Sequence, residues 1–338
     1  MPGSMDVVVT TIFPPTRGTR ALSEGLQRNG GTLWILGDVK GPAEYSLPAA
    51  RFVPIEEQRQ LPFALARKLP ERHYGRKNLG YLLAAQTGAS FLVETDDDNI
   101  PRESFWQARE VERACQVATR TGWCNVYRYF TSEFIWPRGF PLERLQEVGE
   151  GLEPGRQTHS AYVQQGLADE NPDVDAVYRL TRPLPVSFET AREPVFLSEG
   201  VWCPFNSQNT TFFREAFPLL YLPSHCSFRM TDIWRSFVAQ RCLWSMGSGV
   251  LFHSATVFQE RNEHDLLRDF ADEVSGYLAN AKICALLDGL VLEPGVAPEA
   301  VCGNLRLCYE MLVREGILPQ EELELVSAWI EDMSALLA

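Results

Sequence analysis

The sequence predicts an α/β fold: a mostly parallel central sheet flanked by helices, followed by a helical C-terminal extension. Three observations carry this. Short β-branched runs alternate with helical spacing from residue 7 to residue 95, the pattern of strands joined by crossover helices. Each run ends abruptly at Pro, Gly or Asp, as buried strands do when they emerge at a sheet rim. After Asp265 only helical patterns remain.

Val7-Val8-Val9-Thr10-Thr11-Ile12 is the first strand, stopped by Pro14-Pro15. Residues 16–29 carry a helical pattern closed by Asn29-Gly30-Gly31. Thr32 to Leu36 is the second strand, ended by Gly37-Asp38, and Arg51-Phe52-Val53 is the third. Tyr74 to Thr87 reads as a helix with Leu79, Leu82 and Leu83 inward, and Gly88 stops it. Phe91 to Thr95 is the fourth strand and runs directly into Asp96-Asp97-Asp98. From about 130 to 200 the chain reads as loop-rich excursions, with Trp136-Pro137-Arg138-Gly139 and a Gly/Glu/Pro stretch near 149–155. A loop from Gly200 to Asn209, a helix from Asp232 to Trp244 and a strand from Gly249 to Phe252 follow. Three helices are expected near 265–287, 298–314 and 319–336. The organisation expected is a catalytic domain over 5–264 and an extension over 265–338. Met1-Pro2-Gly3-Ser4 ahead of Met5 reads as a cloning remnant.

The formal net charge of -13 argues against nucleic acid or an anionic membrane as a general partner, since both need a basic field. No apolar run reaches the roughly 18 residues of a membrane span, and no signal peptide opens the chain. The eight cysteines form no CxxC pair. A reduced, cytoplasmic chain without structural zinc is expected.

Five features could carry chemistry. In Glu94-Thr95-Asp96-Asp97-Asp98-Asn99 three adjacent carboxylates repel one another directly after an apolar strand. A divalent cation relieves that repulsion, and magnesium or manganese takes one or two carboxylates and completes its shell with phosphate oxygens and water. The plain alternative is a solvated turn capping a helix near Ser104. The basic cluster Tyr74-Gly75-Arg76-Lys77-Asn78, with Lys68 and Arg72 before it, offers donors to a diphosphate, or else a solvated helix face. Asp232, in Thr231-Asp232-Ile233-Trp234-Arg235, is either a helix N-cap or a general base. His253 follows an apolar strand and gains meaning only in company with Asp98. Pro204 to Thr210, with Asn206, Gln208 and Asn209 among aromatics, suits sugar hydroxyls or a turn before a strand.

Taken together, RKNLGYLLAAQTGASFLVETDDDN (76–99), NPDVDAVYRLTRP (171–183), CPFNSQNTTFF (203–213) and SFVAQRCLW (236–244) resemble the STELLO-type glycosyltransferases, and more distantly the reversibly glycosylated polypeptides that include UDP-arabinopyranose mutases. The resemblance spans roughly 6–260. It implies a GT-A fold, Rossmann-like, with a nucleotide-sugar donor and manganese or magnesium. Asp96-Asp97-Asp98 then resembles a DXD motif, with Asp98 holding the metal and Asp96 near ribose or metal. By the same resemblance Thr11, Pro14 and Asp38 belong to the base-binding loops, and Arg76, with Lys77 and Asn78 beside it, meets the nucleotide. The Gly200–Asn209 loop and Arg235 face the sugar or acceptor, Asp232 takes the place of the base, and His253 completes the metal or diphosphate site. Thr231 stands where many inverting enzymes have Glu. The reaction implied is transfer of a hexosyl or pentosyl group from a UDP-sugar to an acceptor hydroxyl. A nucleotide-sugar mutase and a non-catalytic binding subunit are the alternatives, and the C-terminal helices offer an oligomer interface.

Overall fold

The computed structural model describes residues 5–147, 151–260 and 265–338; the expected remnant at 1–4 lies outside them. Four strands open the fold: β1 (Met5–Thr10), β2 (Gly31–Leu36), β3 (Ala50–Val53) and β4 (Phe91–Thr95). They lie parallel in the order β3-β2-β1-β4. The crossovers contain α1 (Arg17–Asn29), the single turn α2 (Ile55–Gln58) and α3 (Lys77–Gln86). Parallel strands covered on both faces need continuous apolar runs, and Val7, Val8 and Val9 are all fully buried.

Next come β5 (Asn99–Pro101), β6 (Glu112–Ala118), β7 (Gly122–Trp123), α4 (Tyr127–Phe130), β8 (Gln157–Ser160), β9 (Val163–Asp169), α5 (Ala176–Thr181), β10 (Val195–Leu197), β11 (Val201–Trp202) and β12 (Asn209–Phe213). The chain ends with α6 (Thr231–Ser245), β13 (Val250–Gln259), α7 (Leu266–Asp288), α8 (Pro298–Arg314) and α9 (Glu322–Leu337). Among the described residues the sheet has eleven strands in the order β3-β2-β1-β4-β12-β9-β13-β10-β6-β8, with β5 paired to β13. Beyond β4 it is mixed: β12 runs antiparallel to β4 and β9, whereas β13 runs parallel to β9. The expected flanked α/β sheet with a helical C-terminal part is met.

The loop-rich reading of 130–200 is corrected, because β9 sits at the centre of the sheet. Its sequence, Val-Gln-Gln-Gly-Leu-Ala-Asp, lacks an apolar run, yet every residue is buried. The glutamines are tolerated because the fold satisfies them. Gln165 Oε1 accepts from the Asn206 amide (2.9 Å) and Thr210 Oγ1 (2.9 Å), and Gln164 Nε2 donates to Glu110 O (2.7 Å).

One apolar cluster joins Val8 and Leu36 of the sheet to α3, α6, α8 and α9. A second, on the opposite face, packs Val7 and Val9 against Leu22 and Leu26 of α1. The layers meet so that the C-terminal ends of β1, β2 and β4 open on one side, the rim where such sheets bind ligands.

Candidate active site

A cavity of about 370 Å³ lies at that rim. Thr10, Thr11, Gly37 and Asp38 line it from β1 and β2, and Asp96, Asp97 and Asp98 from the turn after β4. Arg72, His73, Tyr74 and Arg76 form another wall, and Ile12, Phe13, Leu36, Lys40, Arg138, Asp173, Ser207, Gln208, Phe228, Arg229, Asp232 and Gln259 complete it.

The acidic turn is gripped from both sides. Thr11 Oγ1 donates to Asp97 Oδ2 and Thr16 Oγ1 to the Asp97 carbonyl. Gln259 Nε2 donates to Asp98 Oδ1 at 3.0 Å. Gly18 allows the close approach of α1, since a Cβ there would sit 2.5 Å from the Asp97 carbonyl oxygen. The turn does not cap a helix near Ser104; a short 3-10 segment, Glu103–Trp106, stands there without a side-chain cap. Burial pushes the Asp96 carboxyl up to about 6, helped by Asp98 and Asp232 and opposed by Lys77. Burial likewise raises Asp97 to about 6, with Asp96 adding to it.

A polar relay crosses the floor. Tyr74 Oη is 3.1 Å from Asp96 Oδ1 and 2.6 Å from Ser207 Oγ. Ser207 donates its amide (3.1 Å) and its hydroxyl (3.2 Å) to Asp232 Oδ2. Asp232 is also bound by both terminal nitrogens of Arg138, at 3.0 and 2.8 Å, and Arg138 binds Asp173 through Nε (2.8 Å) and Nη2 (2.7 Å). Burial alone would raise the Asp232 pKa, but Arg138, Arg235 and the Ser207 amide outweigh it and hold the carboxylate at about 2. Asp232 is not the N-cap of α6; Met230 occupies that position and Asp232 lies in the first turn.

At the other end, Arg76 is almost fully buried. Its Nε donates to Gln58 Oε1 (2.7 Å) and its Nη1 to Leu69 O (3.1 Å), while Nη2 has no partner. Gln58 is itself fixed through Nε2 to Gly37 O (2.7 Å) and Val53 O (2.8 Å). Asp38 Oδ1 accepts from the amides of Val39 (2.6 Å) and Arg72 (3.0 Å). Desolvation lowers the His73 pKa, so its ring favours the neutral form, with Nδ1 accepting from the Gly75 amide at 2.9 Å.

The cavity therefore brings together Thr11, Asp38, Arg76, Asp96, Asp97, Asp98, Gln208 and Asp232 of the sequence-derived candidates. The others are placed elsewhere. Lys77 is buried beneath the acidic turn, with Nζ donating to Tyr74 Oη and Thr95 O (both 2.8 Å) and 3.6 Å from Asp96 Oδ1. Asn78 is spent on the Leu222 backbone, donating to its carbonyl and accepting from its amide, each at 2.9 Å. Asn206 and Asn209 hold the β9–β12 region together, Asn209 Nδ2 donating to Leu167 O (3.0 Å) and Thr256 Oγ1 (2.8 Å). Arg235 pairs with Glu94 at 2.6 Å between the rings of Phe205 and Phe212. Pro14 is exposed beside the cavity-lining Ile12 and Phe13, and Gly200 forms a turn near Thr121. His253 is not beside Asp98: it lies on β13 opposite Gly166, and Gln259 farther along that strand is what touches Asp98. Among the described residues no three His, Cys, Asp or Glu side chains gather as a ready-made metal cage. Sequence reasoning missed Tyr74 as a bridge, Ser207, Arg138 and Asp173; the Trp-Pro-Arg-Gly turn was the visible trace of Arg138, but nothing local shows its partners.

Residues 229–337 match the profile of the STELLO glycosyltransferases. The chain is similar along nearly its whole length to two Arabidopsis thaliana proteins, Probable glycosyltransferase STELLO2 (26% identical, 97% of this chain, 44% of that protein) and Probable glycosyltransferase STELLO1 (27%, 98% and 44%). It thus spans under half the length of these relatives. The solved M. tuberculosis glucosyl-3-phosphoglycerate synthase superposes with a TM-score of 0.40 at 14% identity, over 83% of this chain and 81% of that one. No helix among the described residues is long and apolar enough to cross a membrane. The resemblance read from the sequence motifs is shown: the chain is similar to the STELLO glycosyltransferases.

Proposed function

We propose that this chain is a metal-dependent glycosyltransferase that moves a sugar from a UDP-sugar to an acceptor hydroxyl. The observation that carries the reading is the mixed charge of the cavity: Asp96, Asp97 and Asp98 line it together with Lys40, Arg72 and Arg76. A nucleoside diphosphate sugar needs both, a cation site for its phosphates and donors for its base and charge.

The residues fit magnesium or manganese in the form that uses few protein ligands. Asp98 and Asp96 would hold it, and phosphate oxygens and water would complete the shell, so a three-ligand cage is not required. The raised Asp96 and Asp97 carboxyls support this, since a cation stabilises their ionised forms. When bound, the cation would offset charge developing on the leaving diphosphate. Asp38 and the unpartnered Arg76 Nη2 would read the base, one accepting and one donating. Asp232 takes a different role from general base. A base works best with a pKa near the working pH, and this carboxylate is held at about 2 with Arg138 and Ser207 on its oxygens. It orients a sugar hydroxyl as a hydrogen-bond acceptor instead.

The test is incubation with a panel of nucleotide sugars and manganese, followed by mass spectrometry. UDP-sugar consumption with a glycosylated product, abolished in Asp98→Ala, is expected. An isomerised donor without transfer would replace this reading with a mutase, and UDP binding that chelator leaves unchanged would sink the metal assignment.

A further inference from the structure

The opposite face of the sheet carries a cationic cluster that the proposed reaction does not use. Arg113 on β6 lies directly across from His159 on β8. Strand alternation and the pairings of β9 with β12 and β13 place Gln164, Thr211 and His253 on one shared face. Arg109, just before β6, lays its guanidinium over the Phe105 ring at 5.4 Å, and its Nε donates to Thr211 Oγ1 at 3.3 Å. Arg113 Nη1 reaches Gln164 Oε1 at 3.5 Å.

Neither arginine has a carboxylate within 4.0 Å among the described residues. The chain holds 44 acidic residues against 31 basic ones. Several of its buried or half-buried arginines pair with carboxylates, Arg102 with Asp169, Arg138 with Asp173 and Asp232, Arg229 with Glu273 and Arg235 with Glu94, whereas Arg76, Arg214 and Arg241 bond to amide or carbonyl oxygens. Two carboxylates near the cluster are engaged otherwise. Glu112, one residue from Arg113, points to the other side of β6 and accepts from Ser160 Oγ, and Glu193 pairs with Arg156 at 3.2 Å. His159 stacks on Phe196 at 4.4 Å, and its buried Nε2 has no partner. Burial, then Arg109 and Arg113, depress the His253 pKa to about 3, so this ring is neutral and supplies no counter-charge.

Two neighbouring guanidiniums without a counter-ion repel each other, and withdrawing them from water adds to that cost. An oxyanion between them offsets both terms, because guanidinium presents paired donors that match phosphate geometry. We propose that Arg109 and Arg113 form a second, phosphate-class anion site on the sheet face remote from the cavity, with His159 Nε2 as a further contact.

The experiment uses the whole chain with magnesium present and the cavity saturated with UDP, so that phosphate cannot act there. Thermal unfolding is followed against inorganic phosphate at constant ionic strength, and 31P NMR gives the affinity. A saturable stabilisation is expected, with affinity at least about tenfold weaker in Arg113→Gln, the loss of one charge-assisted contact. Arg109 is the more enclosed of the two, so Arg113→Gln is the primary variant and His159→Gln the second; UDP affinity should be unchanged in both. No saturable effect beyond that of matched chloride would overturn the proposal, as would full phosphate affinity in Arg113→Gln.

Discussion

At the scale of single residues, Asp232 shows how one carboxylate is committed by its neighbours. Arg138 is shared between Asp173 and Asp232, and all three side chains are buried. Removing the shared cation strands two carboxylates, whereas neutralising one of them leaves the other pair intact. Breaking a buried pair by removing one partner costs about 3–5 kcal/mol. Arg138→Gln should therefore lose about that much stability, and Asp232→Asn clearly less; denaturant titrations of the two variants check the order. Asp232→Asn should also lower kcat/KM while leaving the shape of the pH–rate profile unchanged, because the wild-type carboxylate stays ionised at any working pH. Loss of a basic limb from that profile in the variant would restore Asp232 as the proton acceptor. The sequence marked Asp232 through its place at the start of a helix and offered a general base or a cap, the latter because capping is a local habit of Asp; Met230 is the cap. Its real partner lies 94 positions away, and no spacing rule reaches that far. Asn78 misled in the same way: a polar residue at a helix start looks available, and only the fold shows Leu222 against it.

At the scale of elements, the acidic turn depends on what packs behind it. The β1–β4 half was legible because strands buried on both faces must be continuously apolar, and the turn was legible because three carboxylates after such a strand have few structural uses. The grip of α1 on that turn was not legible, since Gly18 acts through an absent side chain. Gly18→Ala should push the Asp97 carbonyl away, given the 2.5 Å approach, and should weaken manganese binding more than it lowers the melting temperature; calorimetry with manganese measures this. The turn also sets a pH dependence. Asp96 and Asp97 have folded pKa values raised from 3.8 to about 6, so the folded state binds their protons more tightly than the unfolded chain does. Their contribution to stability is fully present below about 3.8 and is lost as pH rises through about 6. In chelator, the part of the melting profile due to these groups should fall between about pH 4 and 6. Manganese should remove most of that fall by stabilising the ionised forms. An Asp97→Asn variant with the same profile as wild type would remove this pair as its cause.

At the scale of the molecule, the C-terminal helices complete the core and brace the cavity wall. Trp329 on α9 is fully buried, donates through Nε1 to Pro218 O at 2.9 Å and packs beside Tyr221. Glu322, at the start of α9, accepts from Tyr221 Oη, from the amides of Ser224 (3.2 Å) and His225 (2.8 Å), and lies 2.8 Å from His225 Nδ1. Asp332 accepts from the amides of Ala64 and Leu65, both at 2.8 Å. The segment Tyr221–His225 that these helices hold leads straight to Phe228, Arg229 and Asp232 on the cavity wall. The helices were legible from their spacing; their dependence on the sheet was not, because Trp329 and Pro218 meet only in three dimensions. Truncating Trp329 deletes a large buried side chain, whose loss typically costs about 3–5 kcal/mol. Trp329→Ala should lower stability by that amount in a single cooperative transition, because α9 shares one apolar cluster with Val8 and Leu36 of the sheet. Calorimetric unfolding checks this. If α9 instead melted in a separate early step while UDP binding persisted unchanged, the helices would be an appendage and the cavity wall would stand without them.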